Sequence, residues 1–483
     1  MPKTHKTIFG TTERSNFILN MKPESVERLT RIGLIAAILL PILSGAIVSI
    51  INNHFVILAI GTYISGFTAI LFFLISALRG DIELKRNVSF WFVVALAVLA
   101  FASYYAAFMN PYEGLRNSMH ELTTPLLGEY GRYEGLLVLL CYFGIFLLAS
   151  CVTDKKTLSK ITVAVCIAAA VSIIFSVLQH IPGLDFPNAY RHLPTFAYDN
   201  VYISSGVTDN PIFYGGFVTL IFALCGGLAV FGKRHRIVFG VIALAAFTTG
   251  LFTSSITPLI GCAAAAVALV ILSFVRAKVP EASPENTGKK KRKMKALPDG
   301  AFGYDIRLMA IVLLLAAAVI FLIVLITQGI WIRDIYIARF DGALRKFIVG
   351  STINDDRNLY QNAWGAAFEM IKKFPVLGVG PDSFAAYQNF STMTYDTAYN
   401  EYLFTAATRG ILSALIYIGL LVTAFVTLIK RFKSPFAPIL LTAIFAYACQ
   451  AVLNTSSVVV APLFWLVLGL SFSPILAVNK TSK

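Results

Sequence analysis

The chain has 483 residues, of which 57% are hydrophobic and only 13% charged, with a formal net charge of +15. A soluble chain carries about 25% charged residues, so this composition excludes an ordinary soluble protein. Apolar runs long enough to cross ~30 Å of hydrocarbon recur along the chain, which predicts one all-α, polytopic integral membrane domain of about twelve transmembrane helices.

Residues 1–31 form a polar N-terminal segment, too polar for the apolar region of a secretory signal, and the first apolar run is long enough to span. A single transmembrane domain then occupies 32–478, followed by a short tail, 479–483. Its spans are predicted at 32–51, 55–77, 88–109, 134–152, 161–178, 211–231, 237–252, 258–275, 308–328, 401–429, 437–454 and 462–478. With both termini cytoplasmic, every inner loop is basic: "LRGDIELKRN", "TDKKTLSK", "GKRHR", "KKKRKMK" and "KRFK". This is the positive-inside pattern. The basic charge is therefore topological, and nucleic acid is not an expected partner. Segment 276–307 reads as a basic cytoplasmic linker of disordered composition, and its "KKKRKMK" run is placed to touch anionic lipid. Cys141, Cys151, Cys166, Cys225, Cys262 and Cys449 fall in or beside spans without metal-type spacing, and read as small packing residues.

Three loops on the outer face collect the polar residues: 110–133, 179–210 and the longest, 329–400. A loop of that length is more than a connection. Within it, Leu359, Ala363, Ala367, Met370, Ile371 and Phe374 recur at helical spacing. Asp355 and Asp356 precede this stripe, and Lys372 and Lys373 close it, in the sense the helix dipole favours. Pro375 stops it, and "GVG" follows as a tight turn. The pattern predicts a surface helix over 356–374, lying either on the membrane surface or as a lid over a site at the bilayer edge.

The same loops hold Arg116, Arg132, Arg191, Arg333, Arg339, Arg345 and Arg357. Outer loops of a chain obeying the positive-inside pattern retain arginine for a reason, and guanidinium forks suit phosphate oxygens. Aromatic residues interleave, among them Tyr190, Tyr198, Tyr360, Trp364, Tyr395 and Tyr399. Their faces suit sugar rings, and they also form the ordinary interfacial belt. Together these residues point to a ligand with phosphate, sugar and lipid parts.

The stretch "DDRNLYQNAWGAAFEMIKKFPVLGVGPDSF", followed by "YDTAYNEYLFTAATRGILSALIYIG", resembles the C-terminal half of the O-antigen ligase and polymerase superfamily. "SSGVTDNPIFYGG" at 204–216 resembles its Gly-x-x-x-Asn-Pro segment. The resemblance covers about residues 200–430. It implies a membrane-embedded, GT-C-like glycosyltransferase without metal or cofactor, in the bacterial inner membrane with its site facing the periplasm. The implied donor is an undecaprenyl-diphosphate-linked glycan, and the implied acceptor is lipid A–core or a growing glycan. Arg357 matches the loop arginine that contacts the donor diphosphate. Asn400, Leu403 and Gly410 match the family's His-Asn motif, with Tyr399 where the histidine stands. Ile256, in "TSSITP", stands where many members carry arginine.

The candidate catalytic residues are therefore Arg357, Tyr399, Asn400 and Glu401. Arg191 and Arg132 are candidates to supply the missing cation, with Trp364, Asp209 and Asn210 as further substrate-binding residues. Asp396, His120 and His192 are possible proton acceptors beside Glu401 and Asp209. Arg409 reads as a charge within the tenth span, where it needs a partner or a cavity. Two other functions share this pattern: a noncatalytic glycan-binding partner of an assembly complex, and a polysaccharide transporter or flippase. The near absence of central charge in the first nine spans disfavours transport.

Overall fold

A computed structural model describes residues 21–51, 57–79, 88–109, 119–129, 132–181, 184, 204–208, 210–253, 255–277, 305–327, 359–387 and 395–476. The described residues are mostly helical, with no strand among them. In chain order the helices are α1 (Pro23–Ile51), α2 (Ile57–Leu78), α3 (Val88–Met109), α4 (Met119–Leu127), α5 (Leu136–Ser150), α6 (Lys155–His180), α7 (Pro211–Phe231) and α8 (Arg236–Leu251). They continue with α9 (Thr257–Ala277), α10 (Ile306–Thr327), α11 (Leu359–Lys373), α12 (Phe384–Tyr387), α13 (Glu401–Arg409), α14 (Ile411–Lys430), α15 (Ala437–Gln450) and α16 (Ala461–Leu470). Eight of these are long and apolar enough to cross a membrane, and α5, α8, α15 and α16 are shorter apolar helices.

Helix α7 is buried almost all round, and every residue of α16 is buried. By contrast, α2, α3, α10 and α14 present Leu71, Val98, Leu315 and Leu415 at their exposed faces. An apolar outer surface of this kind suits hydrocarbon as its solvent. Between helices in lipid, close approach depends on small residues. Thus α2 meets α5 where a Cβ at Gly66 would lie 2.1 Å from Cys141 Cβ. Cys141, Cys225 and Cys262 are buried, the other three cysteines are half-buried, and all six are free thiols.

Polar contacts mark the two ends of the bundle. At one end Arg31 on α1 reaches Asp154 at 2.9 Å, Arg276 donates to the carbonyls of Phe432 and Lys433, and Arg431 donates to Ser473 O. The basic turns lie here. At the opposite end Ser204 N donates to Phe252 O, Gln179 Nε2 donates to Gly206 O, Asn454 Nδ2 donates to Ile212 O and Glu401 N donates to Ala451 O. The candidate site belongs to this second end.

Several boundaries differ from the sequence reading: the last predicted span, 462–478, is α-helical only over Ala461–Leu470, and two further differences bear on the ends of the bundle. Helix α1 begins at Pro23, well before the apolar run, because its polar first turns are held at the basic end through Arg31. The predicted tenth span, 401–429, is two helices, broken at Gly410 with φ +88°. A hydropathy window does not register this break, since apolar residues flank it on both sides. Arg409 consequently stands at the head of α14 rather than inside a span.

Candidate functional site

Helix α11 takes the place the periodicity predicts and ends at Lys373, two residues before Pro375. Ala363, Ala367 and Met370 are buried, and Ile371 and Phe374 pack on the same small core with Val379, Phe384, Ala398, Phe404 and Ala407. The apolar stripe therefore faces α13, not lipid. Burying Met370 alone contributes ~1.5–3 kcal/mol to this docking. Lys372 and Lys373 remain exposed at the helix C-terminus, where the dipole favours them.

The "PVLGVG" segment docks on the break at Gly410. Four carbonyls at the end of a helix lack intrahelical partners. Here Val379 N donates to Ala407 O and Gly380 N to Thr408 O, both at 2.9 Å, and Ser103 Oγ on α3 adds a bond to Thr408 O. Ile411 N, one of the free donors at the start of α14, donates to Pro375 O. The turn that follows α11 thus supplies the bonds the broken helix lacks. A Cβ at Gly410 would lie 1.9 Å from Val376 O, so the contact requires glycine.

Helix α13 crosses from the end of α15, where Glu401 N meets Ala451 O, to α3 at Ser103. Asn400 is its N-cap, and its side chain accepts from Tyr402 N and Leu403 N, both at 3.0 Å. A cap of this type contributes ~1 kcal/mol. The Glu401 carboxylate is buried and accepts from Tyr417 Oη at 2.7 Å and Tyr447 Oη at 3.1 Å. Tyr399 has φ +47°, an uncommon conformation for a bulky residue. Its hydroxyl donates to Asp396 Oδ1 at 3.0 Å. Burial pushes the half-buried Asp396 carboxyl up from its ordinary pKa, against the opposing effects of Arg132 and the Tyr399 hydroxyl.

Arg132 is not an open loop cation. It is 1% exposed and paired with two carboxylates, while its Nη1 is buried without a hydrogen-bond partner among the described residues. Its Nε donates to Asp382 Oδ1 at 2.9 Å and its Nη2 to Glu134 Oε2 at 2.7 Å. Its guanidinium sits 4.3 Å from the centroid of Phe404. Asp382 Oδ2 also accepts from the backbone N–H groups of Glu129 and Glu134, and Glu134 accepts from Tyr142 Oη and Ser456 Oγ. Burial alone would lower the pKa of Arg132, but Asp382 and Glu134 outweigh it and hold the guanidinium above its ordinary value. Tyr133 and Asp382, on the two sides of this network, both have positive φ. The network ties the turn before α5 to the turn after α11 and to the segment before α16.

The remaining expected residues separate. Asn210 caps α7, accepting from Ile212 N, and Trp364 is half-buried on α11. Arg357, Arg191, Asp209 and His192 lie outside the described residues, as do Arg116, Arg333, Arg339, Arg345 and the "KKKRKMK" run, and the side chain of His120 is not described. Asp382, Glu134, Ser456, Tyr417 and Tyr447 were not legible as site residues. Glu134 stood at the predicted edge of a span and Asp382 directly behind "GVGP", so only a polar residue at an apolar boundary hinted at either. Arg409 donates through Nη2 to Thr405 Oγ1 at 2.7 Å, and it lines a small cavity with Glu401, Tyr142, Tyr417, Ser456 and Trp465. Among the described residues no group of His, Cys, Asp and Glu is arranged to hold a metal ion.

No curated protein matches the chain. The family model described as O-antigen ligase matches residues 239–418, a stretch that runs from α8 through α11, the "PVLGVG" turn and α13 into α14. That match supports membership of this chain in the O-antigen ligase and polymerase superfamily.

Proposed function

We propose that this protein transfers a glycan from undecaprenyl diphosphate to an acceptor hydroxyl, on lipid A–core or on a growing glycan, at the periplasmic side of the inner membrane. The orientation follows from the positive-inside rule, because the end opposite the site carries the basic turns around Lys155, Lys233, Arg276 and Arg431. The family match supports glycosyl transfer of the O-antigen ligase type in general, and the donor and acceptor named here are what the resemblance implies. The observation that carries the site assignment is the bond from Asn362 Nδ2 to Tyr395 Oη, 3.1 Å long. It brings the first turns of α11 onto the corner formed by Tyr395, Asp396, Tyr399 and Asn400.

On this reading Arg357, which lies outside the described residues, is the cation that meets the donor diphosphate. Breaking the sugar–phosphate bond places negative charge on the departing diphosphate, and a positioned guanidinium stabilises it most where water is partly excluded. Arg191 adds a second cation, and Trp364 offers a ring face to a sugar. Asn400 acts by fixing the start of α13. Arg132 acts by holding the turn behind α11 rather than by touching the donor.

The test is transfer of an undecaprenyl-diphosphate-linked glycan by purified protein in lipid. Arg357→Ala is expected to lower the rate by ~10²–10³, because a charge-assisted bond made most strongly in the transition state is lost. Arg357→Lys is expected to recover only part of it, since an ammonium cannot make the bidentate fork. Full activity in Arg357→Ala would remove this assignment of the site.

A further inference from the structure

We propose that Lys372, Lys373 and Val376, at the corner where α11 ends, form a membrane-docking surface that seats at the outer edge of the hydrocarbon and holds the phosphate of anionic phospholipid there. The inference uses the membrane orientation and is independent of the transfer reaction. It begins from α14. Ile411–Lys430 has 20 residues, about 30 Å of helix, which is the thickness of the hydrocarbon. Lys430 stands at the basic end, next to Arg431, so Ile411 stands at the outer boundary. Leu412, Leu415, Ile418, Val422, Val426 and Ile429 are exposed at helical spacing, a stripe that runs the length of the span and faces lipid.

The turn after α11 is fixed to the head of that stripe. Ile411 N donates to Pro375 O at 2.9 Å, and Val376 O lies against Gly410, where a Cβ would come within 1.9 Å of it. Val376 is therefore held at the depth of Ile411, with 67% of its surface exposed. Helix α3 ends beside the same turn: a Cβ at Gly380 would lie 2.7 Å from Ala107 Cβ, and Phe108 and Met109 are exposed at the end of α3. A single exposed valine on a loop is ordinary. This one continues the lipid-facing surface of two spanning helices, so the same hydrocarbon covers it.

The two lysines give the surface its charge. The outer loops 110–133, 179–210 and 329–400 hold three lysines, Lys346, Lys372 and Lys373, and two of these adjoin at this corner. Both are exposed, and among the described residues neither pairs with a carboxylate, although Glu369 lies one turn back. Lys373 Nζ lies 5.7 Å from the ring centroid of Phe374 and 5.4 Å from that of Tyr387, an aromatic setting usual at a membrane interface. A lysine stem lies along apolar surface while its ammonium reaches the headgroup layer. With Val376 in hydrocarbon three residues further on, both ammonium groups fall at the level of lipid phosphate. Two adjacent cations at that level select anionic over zwitterionic lipid.

The experiment places the full chain, in a cysteine-free background, in phosphatidylcholine nanodiscs. Val376→Cys carries a small fluorophore, and Val422→Cys, midway along the lipid face of α14, carries the same label as the lipid reference. Quenching is measured with brominated phosphatidylcholine, with brominated phosphatidylglycerol at the same mole fraction, and with aqueous iodide. Brominated lipid is expected to quench both labels, and iodide to quench neither strongly. At low salt, brominated phosphatidylglycerol should quench the Val376 label at roughly fivefold lower mole fraction than brominated phosphatidylcholine, the attraction one lysine supplies near an anionic surface, or more if both act. Lys372→Gln/Lys373→Gln should bring that ratio close to one and leave the Val422 label unchanged. Raising the salt should reduce the ratio in the same direction.

Lys372, Lys373 and Val376 are all exposed, so these substitutions leave the packed face of α11 intact. Quenching of the Val376 label by iodide and not by lipid overturns the docking. A label that neither lipid nor iodide reaches also overturns it, because protein then covers the corner. Equal quenching by the two lipids with both lysines present overturns the selection of anionic head groups, and so does a preference that survives Lys372→Gln/Lys373→Gln. The assay contains no glycan donor, so its result leaves the transfer reading untouched in either direction.

Discussion

Asp382 is the residue on which the candidate site should depend most for its stability. It is 1% exposed and accepts three hydrogen bonds. Oδ1 takes Arg132 Nε at 2.9 Å, and Oδ2 takes Glu129 N at 2.8 Å and Glu134 N at 2.9 Å. This division lets two substitutions separate charge from hydrogen bonding. Asp382→Asn can keep its amide oxygen on the two N–H groups and tolerates the φ of +52°. It turns an NH2 toward a guanidinium that needs an acceptor. Breaking a buried ion pair by removing one partner costs ~3–5 kcal/mol, and Glu134 still holds Nη2, so ~3 kcal/mol is expected. Asp382→Ala also strands the two N–H groups, at ~1–3 kcal/mol for a buried group left without a partner, which brings the expected loss to at least ~4 kcal/mol. Reversible unfolding in mixed micelles, followed by tryptophan fluorescence, would measure both. A loss under 1 kcal/mol for both variants, or an equal loss for the two, would refute the view that this network fixes the turn behind α11.

Gly410→Ala is expected to prevent folding or to lower the thermal midpoint sharply, because the new Cβ would lie 1.9 Å from Val376 O in a backbone held at φ +88°. Gly365→Ala is the matched control: nothing lies within 4 Å of its Cβ position on the exposed face of α11. That change should stabilise by up to ~1 kcal/mol, and thermal unfolding of the solubilised variants would show both effects. The proposed orientation is checked by cysteine labelling of intact cells in a cysteine-free background. Phe390→Cys should react with an impermeant reagent and Lys290→Cys should not, and the reverse pattern would invert the topology.

The apolar helices, the amphipathic helix and its stop were legible in the sequence because they rest on local periodicity. Leu359 to Phe374 carry their 3.6-residue pattern within one segment, and Pro375 ends it wherever that segment packs. The pattern did not say what the stripe would cover, since an apolar face suits lipid and protein alike. The tertiary structure decided for α13, through Ala363, Ala367 and Met370. The break at Gly410 was likewise hidden, because it depends on hydrogen bonds donated by Val379 and Gly380 from about thirty residues away. Arg132 shows the same limit: its letter and its loop suggested a ligand for phosphate, and nothing in the sequence pairs it with Asp382, 250 residues further along the chain. Glu401 read only as an acid at the head of a span, and the fold adds the hydroxyls of Tyr417 and Tyr447 that donate to it beside a small cavity. A sequence determines which residues carry charge and where helices form, since both are properties of short segments. Which charges remain open to a substrate is decided only when distant segments meet, because burial and pairing are properties of the neighbours each side chain acquires.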